Sequence, residues 1–171
     1  RFGDDDAADF LQSEFDKFSI SFNRSITIKG ALTSQSHIFE DSHGERMLAV
    51  FNEQKLLDEK RLPNFDFSPD QTFLADAHWI EAAHYLAKNT YERGINCIVD
   101  LDNFSNNKAV EEVVNASSHP VFSENGLHQY TKEKSIINSL KSLYQAKNKF
   151  YAVTLGSEGV YWIDKGDIYH C

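Results

Sequence analysis

The chain has 171 residues, 41% hydrophobic and 13% aromatic, and a formal net charge of −9. That length suits one domain with a sizeable core and is short for two, and thirteen Phe and seven Tyr exclude a disordered tail. The acidic balance argues against nucleic acid or an anionic membrane as a main partner, while leaving room for an anionic substrate in a local basic pocket.

Only Cys97 and Cys171 are present, without metal-like spacing. They fit a cytoplasmic protein with a buried thiol at Cys97 better than a disulfide scaffold. No apolar run approaches membrane-spanning length, and the amino terminus reads as neither a signal nor a transit peptide. The sequons Asn23-Arg24-Ser25 and Asn115-Ala116-Ser117 read as chance matches.

Along the chain, Gly3-Asp4-Asp5-Asp6 opens a helix whose residues Phe10, Leu11, Phe15 and Phe18 form an apolar stripe. Strands are predicted at 25–30 and 34–40. The turn Asp41-Ser42-His43-Gly44 and a run at 45–52 complete a hairpin. Residues 55–62 read as a charged linker or short helix, and the loop with Pro63 and Pro69 marks the best internal boundary. From Thr72 the rhythm becomes alternating: strand 72–76, helix 80–93 ended by Gly94, strand 95–99 and helix 108–115. Strand 120–123, helix 132–146 and strand 150–155 follow. Strand–helix alternation predicts an α/β fold with a mainly parallel sheet covered on both faces. The small antiparallel hairpin stands apart from it.

Ligands of such sheets bind beyond the carboxyl ends of the strands. Here those ends are Asp76-Ala77-His78-Trp79, Asp100-Leu101-Asp102-Asn103, Ser123-Glu124-Asn125 and Thr154-Leu155-Gly156, all polar after apolar strands. Asp100 and Asp102 suit a metal or acid–base pair; the plainer reading has them pointing apart and capping a helix or bonding a loop. Asp76 and Trp79 suit a sugar pocket, with core packing the plainer role for Trp79. His78, His84 and His119 lack ligand spacing and read as surface or core residues, so no metal ligand is assigned. The glycines of Thr154-x-Gly156-x-x-Gly159 would let backbone amides approach a ligand, or would simply make a turn. No P-loop and no nucleophile elbow is present.

Several stretches together resemble the PfkB (ribokinase-like) carbohydrate kinases. Gly3-Asp4-Asp5 with its acidic helix is similar to that family's glycine-aspartate-aspartate segment. The hairpin around Asp41-x-x-Gly44-Glu45-Arg46 resembles the lid over the sugar, at 25–52. Residues 72–171 resemble the nucleotide-side core, most closely in Tyr151–Cys171 with its Asp164-Lys165-Gly166-Asp167 turn. The resemblance implies a doubly wound ribokinase-like fold and ATP-dependent, magnesium-assisted phosphorylation of a sugar hydroxyl. It places Thr154, Gly156, Gly159 and Ser123 near the nucleotide, and Ser34, Ser36 and Asp76 near the sugar. It also admits a homodimer through the lid strands.

Two departures accompany it. The family's early glycine-rich motif and late Gly-Ala-Gly-Asp motif, which supplies the catalytic base, are missing. They are expected before Arg1 and after Cys171, making these residues the central part of a kinase domain, inactive alone. Where many members carry Asn-x-x-Glu, this chain reads Ser123-Glu124-Asn125-Gly126. Alternatives are a non-catalytic sugar- or nucleotide-binding module, or an unrelated flavodoxin-like domain without a lid.

Overall fold

The computed structural model describes residues 1–102, 104 and 108–171. Asn103, at the end of the second parallel strand, lies outside the described residues. The chain divides into two compact units, Arg1–Phe65 and Asp66–Cys171, with the division falling between Pro63 and Pro69.

The first unit opens with α1 (Asp6–Lys17), whose amino end is capped by the Asp5 carboxylate accepting from the Ala8 amide. Its apolar stripe is not buried as the periodicity suggests. Only Ala8 is buried, Phe10 and Phe18 stay exposed, and Phe15 leans on Phe22, with ring centroids 5.6 Å apart. Residues 25–30 do not form the expected strand. Among the described residues a single parallel bridge joins Thr27 to Phe2. Next come β1 (Gln35–Glu40) and β2 (Arg46–Phe51), an antiparallel pair in register from Gln35 opposite Phe51 to Glu40 opposite Arg46. A short helix, α2 (Gln54–Asp58), ends the unit's regular structure.

The second unit alternates β3 (Thr72–Asp76), α3 (Ile80–Arg93), β4 (Asn96–Leu101), α4 (Lys108–Ala116) and β5 (His119–Ser123). Then come α5 (Glu124–Thr131), α6 (Ile136–Lys147), β6 (Tyr151–Thr154), β7 (Val160–Asp164) and β8 (Asp167–His170). The six strands lie in chain order, β3 to β6 parallel and β6-β7-β8 antiparallel. The predicted helix 132–146 is α6, beginning four residues later, and α5 stands before it where no helix was expected. Lys132, at φ 60°, ends α5, and the Ser135 hydroxyl starts α6 by accepting from the Asn138 amide. Gly94 closes α3 in the left-handed conformation, at φ 67°. The β7–β8 turn has positive φ at both Lys165 and Gly166, which matches the right-handed twist of a two-residue hairpin.

Strands that follow one another through right-handed crossovers in one direction place their helices on one face. The burial pattern agrees. Cys97, Val99, Leu101, Phe122, Tyr151, Val153 and Ile163 are buried, and filling this layer stabilises by about 1.5–3 kcal/mol per large side chain. On the other face Leu74 is 73% exposed, and Ile98, Val121 and Trp162 are half-buried. Within this unit the fully buried side chains mark the face of the sheet that the helices cover. Behind the covered face, Lys149 donates to the Val114, Asn115 and Ser117 carbonyls at the end of α4, and burial pushes its ammonium down to about 8. Cys97 is buried and free, and Cys171 is exposed and free.

Candidate functional site

Parallel pairing sets the carboxyl ends of β3 to β6 side by side, so residues far apart in sequence share one rim. Asp76 pairs in register with Asp100, Asp100 with Val121, and Ser123 with Thr154. Leu74, Ala75, Asp76 and Asp100 line a cavity of about 310 Å³. Asp76 also accepts from the His78 amide at 2.7 Å, which starts the turn into α3, and Trp79 sits half-buried at that helix start.

Strand geometry gives no reason for Asp100 and Asp102 to point apart, and Asp102 lies just past β4. Residues two apart on a strand share a face. Burial, followed by the nearby carboxylates of Asp102 and Asp76, raises the Asp100 carboxyl above its usual range, with His78 opposing. Among the described residues no group of three His, Cys, Asp or Glu side chains has the geometry to hold a metal. His84 lies 3.6 Å from Glu112, and His119 packs on Phe150 with ring centroids 4.9 Å apart.

A carboxyl raised in the folded chain stabilises the fold below its unfolded value of about 3.9 and loses that contribution as pH rises through the folded value. Asp100→Asn is therefore expected to melt at or above the parent temperature at pH 7, with the two curves meeting below about pH 4. A lower melting temperature at pH 7 would contradict the crowding of these carboxylates.

At the end of β5, Ser123 caps α5, its hydroxyl accepting from the Gly126 amide at 3.0 Å. Gly126 is buried against the end of β4. A Cβ there would overlap the Leu101 carbonyl oxygen and stand 3.3 Å from the Phe104 ring. The two glycines after β6 differ in kind. Gly156, at φ 55°, has open space where a Cβ would be. Gly159, at φ 84°, presses on the carbonyl of Cys171, which exchanges both backbone hydrogen bonds with Val160. Thr154 is exposed at the strand end, its hydroxyl 3.5 Å from the Phe122 carbonyl.

Residues 1–171 match the profile of the pfkB family carbohydrate kinases. The chain belongs to that family. In solved structures it is similar to a putative ribokinase from Agrobacterium tumefaciens, at 25% identity and a TM-score of 0.84. It is similar in fold to Anopheles gambiae adenosine kinase in complex with P1,P4-di(adenosine-5) tetraphosphate, at 14% and 0.76, and to Vibrio cholerae O395 fructokinase, at 18% and 0.70. It spans 56%, 58% and 64% of those chains, and they cover 99%, 99% and 100% of it. The mainly parallel six-stranded sheet and the separate antiparallel pair are the ribokinase-like fold implied by the sequence.

Kinases of this pfkB family use ATP. The residues after β6 fit a nucleotide, because Gly156 leaves its backbone open to close approach. Residues 123–126 do not fit the magnesium role of the family's Asn-x-x-Glu. The Ser123 hydroxyl is engaged as a helix cap, and position 126 has no room for a side chain. On the β1–β2 hairpin, Ser36 is exposed on β1 opposite Val50. Ser34 stands just before β1, and its hydroxyl accepts from the Glu53 amide at 3.1 Å. Ser34 is thus tied to the base of the hairpin, while Ser36 is exposed to solvent. Sequence reading missed the capped first turn of α5 and the carboxylate row of Asp76 and Asp100, which only strand register brings together. Among the described residues no helix is long and apolar enough to cross a membrane.

Proposed function

We propose that this chain forms part of an ATP-dependent kinase that phosphorylates a sugar hydroxyl. Thr154 and Gly156 contact the nucleotide, and the β1–β2 hairpin serves as the lid over the sugar, with Ser36 as a contact. Gly159 and Ser123 act behind them as structural supports, and Asp76 is a further sugar-side candidate. The observation that carries the reading is the open Gly156 backbone after β6. The sugar oxygen bonds to the γ-phosphorus as the bond to the ADP oxygen breaks, and the hydroxyl proton passes to a base not assigned within residues 1–171. Magnesium, when bound, neutralises phosphate charge. A lid that excludes water prevents loss of the phosphoryl group to hydrolysis.

Titration of the 171-residue chain with a non-hydrolysable ATP analogue, followed by amide NMR, tests this. Shifts centred on residues 154–157 are expected, with no phosphoryl transfer by the chain alone. Shifts elsewhere, or none at millimolar analogue, would sink the nucleotide assignment, and sugar phosphorylation by this chain would overturn its expected inactivity. The crowding at Gly126 favours a second reading, a family member that binds sugar or nucleotide without catalysis. Sugar-dependent ADP release by the protein expressed from its whole gene separates the two.

The lid also suits pairing with a second copy of this chain. One face of the ribbon exposes Phe39, Met47 and Phe51, and the other Ile38, Leu48 and Val50. An isolated two-stranded ribbon is at best marginal in water, and apolar side chains on both faces call for two covers. Sedimentation is expected to give a dimer at micromolar concentration, and Ile38→Lys with Leu48→Lys a monomer. A monomeric parent chain would refute the pairing.

A further inference from the structure

The loop from Leu155 to Gly159, which follows β6, is closed by its own backbone. The Leu155 amide donates to the Gly159 carbonyl at 2.8 Å, and the Glu158 amide to the Leu155 carbonyl at 3.0 Å. The Gly159 amide donates to the Gly156 carbonyl at 3.2 Å. The Gly156 and Ser157 amides, the first two of the turn, find no acceptor inside it, as at any helical start. A further grip comes from outside the loop. His170, the last residue of β8, places its Nε2 2.7 Å from the Glu158 carbonyl oxygen. A carbonyl only accepts, so Nε2 carries the proton and donates it. Tyr161, directly opposite on β7, stacks on the imidazole with ring centroids 4.0 Å and planes 21° apart. The same Nε2 would stand 3.7 Å from a Cβ on Gly159, so the ring also covers the end of the loop.

We infer that His170 is a positioning residue for the candidate nucleotide loop, aiming the Ser157 amide at the ligand through two peptide planes. The Glu158 carbonyl and the Gly159 N–H belong to one planar peptide, so a hydrogen bond that fixes the first orients the second. That N–H holds the Gly156 carbonyl. The Gly156 carbonyl shares the next plane with the Ser157 N–H, which in a trans peptide points the opposite way, out of the turn. Gly156 and Gly159 both lie at positive φ, where glycine moves freely, so the two planes need an external stop. His170 supplies it without touching the ligand. The use of this device in binding rests on the kinase reading, while the hold on the loop can be measured without any nucleotide.

The test compares the parent 171-residue chain with His170→Phe and His170→Gln. Phenylalanine keeps a flat ring on Tyr161 and removes the donor; glutamine keeps an N–H donor and gives up the ring. Amide exchange and titration with a non-hydrolysable ATP analogue are read on each chain by NMR. His170→Phe is expected to exchange about five-fold faster at the Glu158 and Gly159 amides and to bind the analogue about five-fold more weakly, on the scale of one hydrogen bond. Protection in β6 and β7 should match the parent, and His170→Gln should restore both readouts. Equal affinity in the parent and His170→Phe overturns the assignment. So does loosening that spreads through β6 and β7, because the histidine is then a support for the sheet, and so does a His170→Gln no better than His170→Phe. A parent chain that does not bind the analogue removes the nucleotide reading and the binding role of His170 with it. The exchange at 158 and 159 still decides whether His170 holds the loop.

Discussion

Gly159→Ala is expected to lower folding stability by about 3 kcal/mol or more, whereas Gly156→Ala is expected to lower it by about 1 kcal/mol and to weaken nucleotide binding instead. Both glycines have positive φ and both belong to one short motif, so sequence treats them alike. Their surroundings do not. Gly159 has φ 84° and ψ −141°, a region that residues with a Cβ scarcely enter. A Cβ there would run into the Cys171 carbonyl. That carbonyl accepts from Val160 at 2.9 Å, and the Cys171 amide returns a bond of 3.1 Å, so the strand end cannot retreat without giving up both. Gly156 occupies the ordinary left-handed region and faces open space. Alanine there strains the backbone slightly and places a methyl group in the open space that the proposed nucleotide would approach. Urea unfolding and analogue titration on the two variants separate the roles. A stable Gly159→Ala that no longer binds nucleotide would return Gly159 to the ligand site.

The alternating half of the chain was legible because its strands are short apolar runs with clear stops. Thr72–Asp76 and Ile80–Arg93 have the bounds their pattern suggests, and Gly94 ends the helix as expected. The β1–β2 hairpin was legible from the Asp41-Ser42-His43-Gly44 turn between two strand-like runs. What failed was long-range in origin. Residues 25–30 have strand-like composition, but a strand needs a partner, and among the described residues a single bridge to Phe2 is what the run finds. The α5 helix contains Gly126, Gln129 and Thr131 and shows little apolar periodicity; it exists because Ser123 caps it and β4 receives it. The stripe on α1 has the right spacing yet buries little, since periodicity records which face is apolar and not whether anything covers it. The polar strand ends were readable as stops after apolar runs, while strand register and not sequence sets which of them stand side by side. Ser34 and Ser36 share a spacing but not a setting, because the amide of Glu53, nineteen residues from Ser34, bonds the first of them.

Gly126→Glu restores the residue that many family members carry at this position, and it is expected to destabilise the second unit by about 2 kcal/mol or more. Helix propensity alone points the other way, favouring glutamate over glycine inside α5 by about 0.5–1 kcal/mol. Packing decides. The new Cβ would overlap the Leu101 carbonyl at the end of a buried strand, and the carboxylate would enter a site closed by the Phe104 ring and the Ser123 hydroxyl. Moving α5 outward would relieve the overlap but would pull Leu127, which is fully buried, out of the core. Glu124→Gln, on the exposed first turn of the same helix, serves as the control and should change stability by less than about 0.5 kcal/mol. Denaturant midpoints of the three chains measure the difference. If Gly126→Glu proves as stable as the parent and gains a magnesium-dependent rise in nucleotide affinity, then α5 can step back from β4. The catalytic reading would then outrank the binding module. If the variant collapses, the glycine is built into the packing of the sheet. Any metal handling in the proposed kinase would then need carboxylates other than the one its relatives place here.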